Sequence, residues 1–372
     1  MSFSSTAAIL PRSICFSSTA SSFFSNGFTA RRRLCQSTAA CSRATKGLHM
    51  ATEPRDNSNS HRLGTLRVVG PDGHGILAAC TQVLNNHGCN IVKHEQWTDT
   101  RLNMFFQRVS FHYNIANGTI DDPNAKTTTV DKVACEKDLN NLFPSSELKA
   151  LWNWRDRRKQ LGILVSKFDH CLWELLLRHK ARELDADIEV VISNHEKLRP
   201  VAETFGIPYR FTPVAKISKS STVHANTETN NRNNPLHEHE AQQLELLKDV
   251  DVVILARYMQ ILSPEFLNHF PPDGIINIHH SFLPAFIGGS PYHQAHERGV
   301  KLIGATAHYT TEDLDDGPII EQDAIIVSHR DSVAKLMKKG RILERNVLIK
   351  AIEAHLDDRI IVHGNRCVVF GD

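Results

Sequence analysis

Apolar residues recur in two different rhythms along the chain, and the change between them near residue 150 divides it into two parts. In the first part, alternating apolar positions predict four strands, at 63–69, 90–98, 104–111 and 148–154. Apolar residues spaced three and four apart predict two helices, at 76–84 and 130–142. The resulting order βαββαβ is typical of a ferredoxin-like module.

In the second part the strands are apolar throughout and alternate with amphipathic helices. Strands are predicted at 161–165, 188–192, 250–255 and 275–278, and helices at 171–177 and 197–205. Such strands indicate a parallel sheet that is covered on both faces. A helix at 332–355 and a hairpin at 359–362 and 366–370, turning at Gly364 and Asn365, end the chain.

We therefore predict an α/β protein with three segments. Residues 1–55 are a transit peptide and linker, residues 56–150 form the ferredoxin-like domain, and residues 151–372 form a doubly wound, mostly parallel sheet. The polar residues 212–235 interrupt the second rhythm and predict a mobile lid or disorder. The HEHE run at 237–240 has the composition of a metal-binding tract, but we favour a solvated helix start.

The first fifty residues contain six Arg or Lys residues, many serines, and no Asp or Glu before Glu53. This composition is typical of an organelle transit peptide, and we predict mitochondrial import, with the plastid as the alternative. A disordered cytosolic tail would show mixed charges. Since the whole chain is +2, removing six positive charges leaves −4, so the remaining protein is mildly acidic. We expect neither nucleic acid nor a membrane surface as a partner.

Two further patterns bear on possible partners. The one aromatic-basic cluster could contact single-stranded nucleic acid, but we favour a strand that joins the domains and carries a solvated basic tail; it consists of Trp152, Trp154, Arg155, Arg157 and Arg158. The cysteines after the presequence are odd in number and form no CxxC pair, which predicts reduced thiols rather than a disulfide frame; they are Cys80, Cys89, Cys135, Cys171 and Cys367.

Candidate chemistry is concentrated between residues 275 and 323. Asn277 and His279 lie two apart at a strand end, so both side chains point to one side. Asp315 lies in an acidic turn that is closed by Gly317 and Pro318. An amide donor, an imidazole and a carboxylate are the groups needed to polarise a carbonyl and move the protons of acyl transfer.

Metal sites are alternatives in the same segment. Several histidines could form a zinc site, although no HExxH or paired cysteine spacing is present; they are His279, His280, His293, His296 and His308. The run from Asp313 to Gly317 has some calcium-loop character, but its twelfth position is Ala324 instead of Glu. We therefore predict no metal.

Four segments closely resemble the formyltetrahydrofolate deformylase family: LARYMQILSPEFL at 255–267, NIHHSFLPAF at 277–286, PYHQAHERGVKLIGATAHY at 291–309 and DLDDGPI at 313–319. The resemblance implies hydrolysis of 10-formyltetrahydrofolate to tetrahydrofolate and formate, with no cofactor. It implies that Asn277, His279 and Asp315 are catalytic. It also implies a folate pocket lined by Met259, Gln260, Ile261, Leu262, His308 and Thr311. Gln260 stands where many relatives have arginine.

The first module resembles an ACT domain, a family that usually binds small effectors at the turn before its first helix. Here that turn contains Asp72, Gly73, His74 and Gly75, although the glycines could serve only the tight turn. The resemblance implies a homo-oligomer that responds to an amino acid.

Two alternatives remain open, a glycinamide ribonucleotide type of formyltransferase and a non-catalytic ACT-based amino-acid sensor. The loop of residues 166–170 lacks the glycines of a phosphate loop, which favours water as the acceptor.

Overall fold

The computed structural model describes residues 61–114, 129–143, 147–214, 235–285 and 291–371 of the 372-residue chain. These residues belong to one compact unit, Asp56–Asp372. The predicted transit peptide, most of the polar segment at 212–235 and the insertion after strand 104–111 lie outside the described residues. Within the described part, no helix is long and apolar enough to cross a membrane.

Residues 61–153, here called the N-terminal module, have the predicted order of elements. These are β1 His61–Pro71, α1 Ile76–Asn86, β2 Asn90–Asp99, β3 Met104–Asn114, α2 Lys132–Leu142 and β4 Lys149–Asn153. The strands form a sheet of order β2-β3-β1-β4, in which β1 is antiparallel to both of its neighbours. Because β4 runs to Asn153, this sheet extends past residue 150. The division into separate domains stays a prediction.

The remaining strands form a larger sheet of order β11-β10-β9-β8-β5-β6-β7. They are β5 Lys159–Val165, β6 Ala186–Ser193, β7 Tyr209–Phe211, β8 Val252–Leu255, β9 Ile275–His279, β10 Leu302–Tyr309 and β11 Ile319–Ile326. The helices are α3 His170–Lys180, α4 Arg199–Thr204, α5 Pro235–Leu246, α6 Pro264–Leu267, α7 Pro291–Glu297 and α8 Val333–Leu356. From β9 to β7 all neighbouring strands are parallel, whereas β10 is antiparallel to both of its neighbours, β9 and β11. The predicted mostly parallel fold is confirmed.

Both faces of this sheet are buried, which explains why its strands are apolar throughout. Leu161, Ile163 and Val165 of β5 pack in a core with residues of α3 and α8. Leu164 faces the opposite way and packs in a second core with Phe266 of α6. The two cores hold the carboxyl ends of the parallel strands at one edge of the sheet, where α/β proteins bind ligands.

The chain ends in the predicted hairpin, which packs against the N-terminal module. Its strands are β12 Ile360–His363 and β13 Arg366–Val369, joined through Gly364 at φ 58°. Ile361 and Phe370 form a buried apolar cluster with Val69 and Phe106 of the module.

The carboxyl end of α8 makes a polar contact with the same module. Asp358 follows the helix at φ 55°, and its buried carboxylate accepts hydrogen bonds from Asn153 (2.8 Å) and Lys159 (3.3 Å). Arg108 of β3 donates to the backbone carbonyls of Asp357 (2.7 Å) and Asp358 (3.0 Å). A cation at the carboxyl end of a helix satisfies carbonyls that the helix itself leaves unpaired.

Two expectations about polar segments are corrected. His239 is buried and makes hydrogen bonds with Tyr258 and Gln243, so the start of α5 is not a solvated run; the side chain of His237 is not described. The basic tail after β4 is only partly solvated, since Arg157 is 63% exposed but Arg155 only 15%. Arg155 lies within 3.4 Å of Asp358, and Arg157 forms a bidentate pair with Asp251 at 2.6 Å. All five cysteines in the described part are free thiols, as predicted.

We expect Arg108→Leu to lower the free energy of unfolding by about 3 kcal/mol, because the partly buried carboxylate of Glu95 and the carbonyls of Asp357 and Asp358 lose their donor. Arg101→Leu is the matched control, since Arg101 is 78% exposed and its change should stay within about 0.5 kcal/mol. Guanidinium-induced unfolding measures both. Equal, small effects would show that the helix end does not depend on Arg108.

Candidate active site

The turn between β10 and β11 places Asp315 over the end of β9. Asp315 adopts φ 58°, in the left-handed region, and the backbone N–H of Tyr309 donates to the Pro318 carbonyl at 3.0 Å. Gly317 lies so close to β10 that a Cβ atom there would stand 1.8 Å from the Tyr309 carbonyl oxygen. The turn therefore requires glycine for steric reasons, and its close packing directs Asp315 back onto the sheet.

The antiparallel pairing of β9 with β10 brings the other polar groups together. Asn277 is opposite His308, and His279 is opposite Thr306. The Asn277 Nδ2 atom lies 3.1 Å from His308 Nε2. Because side chains two apart on a strand share a face, His279 lies on the same side as Asn277.

Hydrogen bonding fixes the tautomer of His308. Its Nδ1 lies 2.9 Å from the Tyr309 carbonyl oxygen, which can only accept, so Nδ1 carries the proton. The unprotonated Nε2 then accepts from the Asn277 amide. Burial lowers the pKa of His308, although its bond to the Tyr309 carbonyl opposes the shift, and the neutral ring agrees with this arrangement. His308 thereby orients Asn277, whose carboxamide lines the cavity.

His279 and Asp315 form a close pair. Their Nδ1 and Oδ1 atoms are 3.2 Å apart, and His308 Nε2 lies 3.9 Å from the same carboxylate oxygen. Burial raises the pKa of Asp315, but the hydrogen bond from His279 and the nearby imidazoles outweigh it, so the net shift is downward. Asp315 is therefore a carboxylate near neutral pH. The buried Nε2 of His279 has no hydrogen-bond partner among the described residues.

A cavity of about 240 Å³ lies over these groups and is lined by every residue for which the sequence predicted a catalytic or folate-binding role. Its floor is formed by Asn277, His279, His308 and Asp315, and the loop after β8 forms a wall with Met259, Gln260, Ile261 and Leu262. Met259 and Ile261 are exposed, giving this wall an apolar rim suited to a flat ring system. Thr311 also lines the cavity.

The structure also separates the two adjacent acids of the turn. Asp316 is exposed and bonds through its backbone to the Asp313 carbonyl, whereas Asp315 contacts His279. The cavity is also lined by residues for which the sequence predicted no catalytic or folate-binding role, including Arg257, Tyr258 and His280. Arg257 and Tyr258 lie inside the matched segment 255–267. The sequence therefore indicated that they lie near the site, but it did not indicate how their side chains are oriented.

Other sequence candidates lie elsewhere. The residues from Asp72 to Gly75 form an exposed turn into α1, where Gly75 has φ 83° and Asp72 accepts a hydrogen bond from the Gly73 N–H at 3.0 Å. Among the described residues, one group places three potential metal-ligand atoms within 4.8 Å of one another, and it consists of His170, Cys171 and Glu344. None of the histidines considered for zinc belongs to it.

Comparison with known proteins agrees with this geometry. The formyl transferase domain family matches residues 159–352. The formyltetrahydrofolate deformylase of Synechocystis sp. is 42% identical over 310 residues, which cover 82% of this chain and 98% of that protein. The chain belongs to the formyltetrahydrofolate deformylase family.

Solved structures place the chain in the same family. A formyltetrahydrofolate deformylase from Pseudomonas syringae pv. tomato superposes with a TM-score of 0.71 at 37% identity, covering 85% of this chain and 96% of that one. Glycinamide ribonucleotide transformylase 1 from Symbiobacterium toebii reaches a TM-score of 0.50 at 29% identity and covers 57% of this chain. The similarity to the deformylase thus extends over more of the chain than the similarity to the transformylase.

In this deformylase-family protein, we expect Gly317→Ala to reduce activity by about a hundredfold, because the added Cβ must push the turn away from β10 and a shift of about 1 Å in a reacting group has that effect. Gly371→Ala is the control, since no atom lies within 4 Å of its added Cβ. Turnover of both variants by initial-rate assay, with folding checked by circular dichroism, tests the expectation. Normal activity in Gly317→Ala would mean that the turn does not position Asp315.

Proposed function

We propose that the protein hydrolyses 10-formyltetrahydrofolate to tetrahydrofolate and formate. The observation that carries this proposal is the arrangement of Asn277, His279 and Asp315 on the floor of one cavity. A ring system fits the apolar wall after β8, which directs the formyl group toward these side chains. Membership of the deformylase family supports the same reaction.

The three side chains divide the chemistry as follows. The Asp315 carboxylate accepts a proton from water as the oxygen of that water attacks the formyl carbon. The Asn277 amide donates to the carbonyl oxygen as it gains negative charge, and His279 donates beside it through Nε2 when its ring carries both protons, since Nδ1 already donates to Asp315; each donor is worth about 3 kcal/mol. The carbon–N10 bond then breaks while N10 takes up a proton, which releases formate and tetrahydrofolate. The reaction uses water and these side chains and needs no other cofactor.

We expect Asp315→Asn to lower turnover by at least about a hundredfold with folate binding retained, because the proton acceptor is lost while the shape is kept. Asp316→Asn is the matched control, since the neighbouring side chain is exposed, and it should change turnover much less. Formate release and tetrahydrofolate formation, measured without any amine, provide the readout. A reversed order of the two effects would place the proton acceptor at Asp316.

For the N-terminal module we propose an ACT-type regulatory role in a homo-oligomer. The βαββαβ sheet and the exposed turn from Asp72 to Gly75 support it. Glycine or methionine should change the hydrolysis rate or apparent substrate affinity by about 5- to 150-fold, which is the usual range of allosteric coupling. Asp72→Ala should weaken this response without altering the rate in its absence. A monomer by light scattering, indifferent to both amino acids, would leave the module a structural role only.

We further propose that the protein acts in the mitochondrion, with the plastid as the second candidate. The support is the acid-free, arginine- and serine-rich composition of the first fifty residues. Residues 1–55 fused to a fluorescent reporter should accumulate in mitochondria. Cytosolic fluorescence would contradict the proposal.

A further inference from the structure

A cluster of buried charged and polar groups lies beside the cavity and takes no part in the mechanism above. Glu344 of α8 is 1% exposed, and its carboxylate receives hydrogen bonds from Tyr292 Oη (2.6 Å) and His170 Nε2 (2.8 Å). The Arg257 guanidinium lies 3.3 Å from the same carboxylate. We call these four residues the Glu344 cluster.

Arg257 is held in an unusual conformation. It lies two residues after the end of β8 at φ 65°, a region that few residues other than glycine adopt, and it is buried. Its guanidinium lies 5.1 Å from the centre of the Phe168 ring, in the loop after β5. Backbone strain of this kind persists only where several contacts enforce it, and it is concentrated at functional sites.

The Glu344 cluster lies at the edge of the sheet that also carries the cavity. Strands β9, β8 and β5 are parallel neighbours, so the residues that follow them meet at one edge of the sheet. The cavity uses the residues after β8, β9 and β10, and its lining includes none of residues 166–170 after β5. On that side the Arg257 guanidinium lies over the Phe168 ring, and Glu344 contacts both Arg257 and His170.

The cluster borders the reacting groups through His280. The His280 ring lies between those of His279 (5.2 Å) and Tyr292 (6.1 Å). Burial, helped by the positive charge of Arg257, lowers the pKa of His280 to about 3, so this ring is neutral. The positive charge of Arg257 thus acts on His280, the residue next to His279.

The cluster also provides its own anion at the start of α3. The first turn of a helix attracts negatively charged groups. Here the Glu344 carboxylate lies within 4.8 Å of the ligand atoms of His170 and Cys171, the first two residues of α3. Burial raises the pKa of Glu344, but the opposing effect of His170 and Arg257 is larger. The pKa is therefore lowered to about 2, and the carboxylate is charged. An acceptor that carries phosphate or carboxylate would meet this charge.

We propose that the Glu344 cluster closes the acceptor side of the active site to amines larger than hydroxylamine, so that water is the acceptor, and that Arg257 is the specificity-determining residue. The proposal rests on the hydrolytic function proposed above. In hydrolysis, a carbon–oxygen bond to water replaces the carbon–N10 bond. With an amine acceptor, a carbon–nitrogen bond forms instead, the amine loses one proton, and N10 gains one. Neither reaction needs an oxidant or a reductant.

The test is Arg257→Gly in the full-length protein, with glycinamide as the amine. Glycine adopts φ 65° without strain, which offsets part of the lost contacts. The ratio of N-formylglycinamide to formate should rise at least about tenfold above wild type, the scale of a single steric contact in a specificity pocket. Arg182→Gly is the matched control, because Arg182 also has a positive φ, 60°, but is exposed. It should keep the wild-type rate and ratio.

A second variant and a measurement on the wild type test the proposal even if Arg257→Gly does not fold. Arg257→Asn removes the guanidinium with a residue that tolerates positive φ, and it should shift the ratio in the same direction. In the wild type, the small nucleophile hydroxylamine should compete with water, whereas glycinamide should not. Folded Arg257 variants with the wild-type ratio, or equal use of both amines by the wild type, would overturn the proposal. Absence of formate from the wild type without any amine would instead overturn the hydrolytic function.

Discussion

The antiparallel pairing of β10 with β9 is the constraint on which the candidate site depends. It ends a run of parallel strands and sets Asn277 beside His308, so that one imidazole orients one amide. The chain then returns as β11 through residues 310–318, and the close approach at Gly317 holds this segment against the end of β10. Asp315 reaches His279 because of these two conditions together. The chemistry is thus a product of sheet register rather than of a flexible loop.

Helix α8 connects this site with the N-terminal module. Its middle presents Glu344 to the strand ends, while Asp357 and Asp358, the two residues after the helix, accept hydrogen bonds from Arg108 at their backbone carbonyls. The helix is a single rigid element of 24 residues, packed on the sheet by residues such as Val347 and Leu348. A change in the module that moves the helix end would therefore be felt at Glu344, which offers a physical route between the two regions.

The local sequence pattern was sufficient to predict most of the fold, because the spacing of apolar residues and the identity of turn residues determine structure within a few positions. The βαββαβ order, the apolar parallel strands and the hairpin at Gly364 were all predicted, and the matched segments led to the cavity. Interactions between distant segments were not predictable in this way. The short edge strand β7 and the antiparallel pairing of β10 with β9 and β11 depend on partner strands. His239 is buried by contact with Tyr258, and Arg155 is paired with residues about two hundred positions later. The strain at Arg257 was equally invisible, because nothing in its neighbours requires a positive φ.

The formyl transferase match ends at residue 352, before the end of α8 and the terminal hairpin. The segment beyond it includes Asp357, Asp358, Ile361 and Phe370, the residues that contact the N-terminal module. The N-terminal module and the terminal hairpin, which the larger sheet separates along the sequence, therefore pack as one structural unit. Because the two segments contact each other, a chimera that replaces the module must replace the terminal hairpin with it.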